Sequence, residues 1–79
     1  MNYAEIAEKI KSHKDEISKE INLRPTTIVK WCDEPKHFLK VGVNEICTMA
    51  VVIGVNPSDV LNILEQEVIQ YMKKQVQEG

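Results

Sequence analysis

The segment Ile17–Trp31, ISKEINLRPTTIVKW, constrains the fold of this chain more than any other. Ile17 and Ile21 stand four residues apart and share one face of a short helix, and Ile28 and Trp31 share one face of the next. Between them the chain must reverse. Asn22 stands at the reversal, and asparagine tolerates the left-handed conformation that such a turn demands. Leu23 is expected to plug the turn. Pro25 opens the second helix, at a position where its fixed φ and missing N–H cost nothing. The pattern predicts a helix from Lys14 to Ile21, a tight turn, and a helix over residues 25–32.

That order, with a proline-led second helix, is the helix-turn-helix unit, whose second helix can enter a DNA major groove. The surrounding sequence supplies further helices. Tyr3, Ile6, Ala7 and Ile10 fall at helical spacing over residues 3–11. Ile6, Ile10, His13, Ile17 and Ile21 also fit one unbroken helix, but a break at Ser12–His13 is the better reading, with Ser12 as N-cap of the second helix. Pro35 stops the third helix. Residues 33–42 read as a loop, open to a short β excursion, with Phe38, Leu39 and Val41 tucked onto the core. Ile46, Met49, Ala50 and Ile53 mark a fourth helix, ended by Gly54. Asn56, Pro57 and Asp59 then cap and open a fifth that runs to about Gln75.

The 79 residues make one domain, 43% apolar. A chain of this size buries only about 60% of its unfolded surface and gains from a second copy. The fold class expected is all-α: a compact five-helix domain spanning 1–79, with a core over about 3–66 and a C-terminal helical extension over about 67–77. Val68, Ile69, Tyr71, Met72 and Val76 lie on that extension beyond what five helices need to close a core. They must either fold back along the first helix or pair with another chain, and C2 homodimerisation is the expected solution.

Charge is unevenly spread. The formal net charge is −2, yet Lys9–Lys40 carries eight Lys/Arg against five Asp/Glu, and Val41–Gly79 carries two against five. The basic excess coincides with the helix-turn-helix. Cys32 and Cys47 form no CxxC pair. With His37 they lack zinc-like spacing, so no metal is expected and both read as small, half-buried apolar residues. Few cysteines and no signal peptide point to a reduced, cytoplasmic setting. The run Ile46–Val55 is too short for a bilayer span, which needs about 20 residues. No paired carboxylates, Ser/His arrangement or Gly-rich phosphate loop appears, so neither catalysis nor a cofactor is expected.

Two blocks carry a family resemblance. ISKEINLRPTTIVKW and MAVVIGVNPSDVL, the latter at residues 49–61, are similar to the second-to-third and fourth-to-fifth helix junctions of the lambda-repressor/Cro-like, or xenobiotic-response-element, helix-turn-helix family. Here Ser18 replaces the usual Ala, Asn22 the usual Gly, Lys14 a common Gln and Cys32 a common Glu, while Asp33-Glu34 replace a small turn. The resemblance implies a dimeric transcriptional regulator of the phage or mobile-element repressor kind that binds double-stranded DNA. Thr26, Thr27 and Lys30 would contact base edges on the outer face of the third helix. Lys14, Arg24, Lys36 and Lys40 would meet the backbone, and Pro25 belongs to the same DNA-binding set. Trp31, on the Ile28 face, is expected as core or half-buried wall, and His13 and His37 as surface residues. The acidic balance and Asp33-Glu34 suit an alternative, a protein-interaction module of antitoxin or anti-repressor type that keeps the scaffold without reading DNA.

Overall fold

A computed structural model of the chain describes residues 1–78. Five α-helices follow one another: α1 (Tyr3–Ser12), α2 (Lys14–Ile21), α3 (Pro25–Asp33), α4 (Val43–Ile53) and α5 (Pro57–Glu78), with a 3₁₀ helix at Pro35–Lys40 between α3 and α4. There is no strand among the described residues. The expected loop over 33–42 is therefore helical for most of its length, and no β excursion forms. No helix among the described residues is long and apolar enough to cross a membrane.

The helix ends follow from local chemistry. Asn2 caps α1, its side-chain oxygen accepting the Glu5 backbone N–H at 3.0 Å. A single residue, His13, separates α1 from α2, so the break falls where expected, but Ser12 is not the cap. Its hydroxyl donates back to the Glu8 carbonyl inside α1 at 2.8 Å. The His13 ring bonds the Lys9 carbonyl at 2.9 Å, closing α1 and leaving α2 without a side-chain cap.

Asn22 takes the left-handed conformation (φ 57°) at the end of α2, and Gly54 takes it (φ 74°) at the end of α4. The same hydrogen bond follows in both places. The N–H of the next residue reaches back five positions, from Leu23 to Ser18 at 3.2 Å and from Val55 to Ala50 at 3.0 Å, satisfying carbonyls that the helix itself leaves open. Leu23 does not plug its turn. It is 39% exposed, and the Ser18 hydroxyl closes the corner by donating to the Leu23 carbonyl. Asn56 caps α5 through the Ser58 N–H at 2.8 Å.

The core is contributed by every element. Ile6 and Ile10, Ile17, Ile28, Met49 and Val60 are fully enclosed, with Cys32, Phe38, Ile46, Ala50, Ile53 and Leu64 around them. All four residues of the expected α4 stripe are buried. On α5 the buried positions are Val60 and Leu64, while Leu61, Ile63 and Val68 pack at the edge. From the 3₁₀ helix Phe38 enters the core. Leu39, expected to tuck inward, is 56% exposed. Phe38 meets Tyr3 edge-on, ring centroids 6.4 Å apart, and Trp31 at 6.3 Å, so the half-buried Trp31 forms a wall of the core. The Tyr3 hydroxyl donates to the Cys32 carbonyl at 2.7 Å and ties α1 to the last turn of α3. Burial, more than the nearby Cys32, Glu67 and Asp33, holds its pKa well above the ordinary phenol value.

At 22 residues α5 is about 33 Å long, in a body that measures 39 × 23 × 20 Å. Its middle crosses α1 and the 3₁₀ helix, but the last turns do not fold back fully. Val68, Ile69 and Tyr71 are half-buried, while Met72 and Val76 remain exposed.

Candidate nucleic-acid interface

α3 turns Ile28 and Cys32 into the core, which leaves Thr26, Lys30 and Asp33 facing out and Thr27 partly covered. One helical turn separates successive members of this outer row, as period 3.6 requires. Arg24 occupies the N-cap in extended geometry with no side-chain cap bond, and Pro25 stands at the first helical position, half-buried. The N-terminus of α3 thus carries a cation where α1 and α5 carry an asparagine acceptor.

Beside this row lies a hollow of about 200 Å³ between α3 and the 3₁₀ helix, lined by Thr27, Lys30, Trp31, His37 and Lys40. Three expected site residues, Thr27, Lys30 and Lys40, converge there. Lys14, Arg24, Thr26 and Lys36 do not line it, although each of them is exposed. Among the described residues its lining holds two lysines and no carboxylate. His37 is its hinge. The ring Nδ1–H donates to the Lys30 carbonyl at 3.1 Å, fixing the 3₁₀ helix against the last turn of α3. The sequence reads His37 simply as a surface residue. A seven-residue contact between a ring and a carbonyl leaves no periodic signal, so nothing in the sequence marked it.

The two acidic residues that end α3 each hold a lysine. Asp33 pairs with Lys11 of α1 at 3.0 Å, and Glu34 pairs with Lys36 at 3.1 Å, its carboxylate also 3.9 Å from His37 Nε2. Hydrogen bonding to Lys36 lowers the Glu34 pKa and raises that of Lys36, and the bond to Asp33 likewise raises Lys11. Lys36, expected to be free for a phosphate, is therefore engaged within its own segment. Lys14, Arg24, Lys30 and Lys40 form no ion pair among the described residues.

Cys32 is buried and Cys47 half-buried, both as free thiols. Burial pushes the Cys32 thiol up to about 11, with Lys11 opposing in part. No group of three or more His, Cys, Asp or Glu among the described residues is placed to hold a metal ion. Comparisons of the chain with family models, with curated proteins and with solved structures found no match.

Proposed function

We propose that this chain is a sequence-specific, double-stranded-DNA-binding transcriptional regulator with a lambda-repressor-like helix-turn-helix, α2 and α3 being its two helices. α3 enters the major groove, Thr26, Thr27 and Lys30 meet base edges, and Lys14, Arg24 and Lys40 meet phosphates. Two copies on half-sites about 34–36 Å apart would read a palindromic operator. The observation that carries this reading is the charge on the outer face of α3. Lys30 and Lys40 line a hollow that has no carboxylate among the described residues, and the nearby acids Asp33 and Glu34 are each engaged by a lysine. A DNA-facing surface needs cations free to replace the counterions of the phosphates.

The test is an NMR titration of the labelled protein with a mixed-sequence duplex, first at low salt and then at raised salt. Amide shifts at Arg24, Thr26, Thr27 and Lys30 that reverse with salt are expected. Their absence at low salt would remove DNA reading. It would favour the second interpretation, a protein-interaction module, for which the exposed apolar residues of α5 are the specific support.

A further inference from the structure

Two shallow apolar hollows adjoin along α5. The first, of about 620 Å³, lies between the 3₁₀ helix, α4 and α5, with Phe38, Ile46 and Leu64 in its floor and Leu39 and Val43 on its rim. The second, of about 580 Å³, follows the last turns of α5 and is lined by Ile69, Met72, Lys73 and Val76. Ile69 and Met72 belong to both, so the surface is continuous. Leu39, Val43, Met72 and Val76, the last two 50% and 80% exposed, all lie on it. Single exposed hydrophobic residues are ordinary, but a contiguous patch of this kind marks an interaction surface.

The charges on this surface identify the partner. Among the described residues each hollow has one charged residue in its lining, Glu65 in the first and Lys73 in the second. Ile69, shared by both, stands four residues from each. A two-fold axis through Ile69 that reverses the direction of α5 carries position 73 onto the level of position 65, about 6 Å to either side of the axis. We propose that this face binds a second copy of the chain, the two α5 helices pairing antiparallel about Ile69, with Glu65 of each copy opposite Lys73 of the other. The ridge of Met72 and Val76 from one copy then enters the groove rimmed by Leu39 and Val43 of the other. The contact is isologous and closes at two chains. This rests on the dimeric form of the regulator proposed above and specifies its interface.

Sedimentation equilibrium of the full chain tests it, using wild type, Glu65→Lys, Lys73→Glu and the double reversal. Glu65 and Lys73 are both exposed, so none of these changes disturbs the core, and circular dichroism checks the helix content. Wild type is expected to be dimeric. Each single reversal sets like charges across the axis at two symmetric places and should weaken the dimer by about tenfold or more, and the double reversal should restore it. A wild-type chain that stays monomeric, single reversals without effect, or a double reversal as weak as the singles would each overturn the proposal. The fate of DNA reading is separable. Glu65 and Lys73 lie on α5, which does not touch α3, so the salt-reversible shifts at Lys30 should persist in a monomeric variant.

Discussion

Replacing Glu34 by Gln tests the charge arrangement at the end of α3 directly. Glu34 holds Lys36 at 3.1 Å, and both side chains are about half exposed. An exposed pair of this kind adds little to stability, so the melting temperature should not change. The effect on DNA binding should be larger. With the carboxylate gone, Lys36 is free to meet a phosphate, and the formal net charge rises by one from −2. Each added phosphate contact steepens the slope of log affinity against log salt by about 0.9. Over a fourfold rise in salt, from roughly 50 to 200 mM, one such contact loses a factor of about 3.5. Glu34→Gln should therefore bind a mixed-sequence duplex more tightly than wild type at low salt, and that advantage should shrink by about this factor across the range. Fluorescence anisotropy at four or five salt concentrations measures it. Asp59→Asn is the control, since it changes net charge equally but lies in the first turn of α5, away from α3. A slope unchanged by Glu34→Gln, or changed as much by Asp59→Asn, would refute the claim that the end of α3 faces phosphates.

Lys30→Ala should weaken binding to a selected operator by about 1–3 kcal/mol and relax specificity at one base pair. Its thermal melt should match wild type, because Lys30 is exposed and alanine favours the helix. Met49→Ala should cost about 2–5 kcal/mol in urea unfolding, since Met49 is fully enclosed. Met72→Ala, at an exposed position, should leave the unfolding of the dilute chain unchanged. Stability should also fall as pH rises through the window set by Cys32. Its thiol ionises near its ordinary 9.0 in the unfolded chain but stays protonated in the fold up to about 11. The stabilisation is complete below the lower value and is lost through the upper one, a difference of about 3 kcal/mol. Urea melts from about pH 8 to 11 should show this loss flattened, though not abolished, in Cys32→Ala, because Tyr3 shifts in the same direction. An identical pH profile in the variant would count against the burial argument.

Residues with a strong conformational preference made the helix ends legible in the sequence. Asn22, Gly54, Pro25 and the Asn56-Pro57 pair each stand where backbone geometry admits few residue types, and each end falls beside them. The inward stripe of α4 was legible because its four residues keep helical period without interruption. The region between α3 and α4 was not. Among the described side chains of this short 3₁₀ helix Phe38 alone is buried, and one residue has no period to detect. Leu23 and Leu39 were misplaced for a related reason. Hydrophobicity alone says nothing about which side of a short turn faces solvent. The candidate interface was legible as a set of residue types on α3, but not as a site. The convergence of Lys30 with Lys40 depends on His37 bonding the Lys30 carbonyl, and the engagement of Lys36 depends on a neighbour two residues away.

The links between helices have a thermodynamic consequence. One residue joins α1 to α2, three join α2 to α3, and one joins α3 to the 3₁₀ helix, while the Tyr3 hydroxyl pins the far end of α3 to α1. No segment on the α3 side is long enough to order itself on contact with a partner. Whatever docks there meets a surface whose conformational entropy was surrendered in folding, so rotamer changes of a few lysines are the main adjustment left to this side. Association should then show the small heat-capacity change of rigid bodies meeting rather than the large one of coupled folding. Any bending needed for a fit must come from the partner.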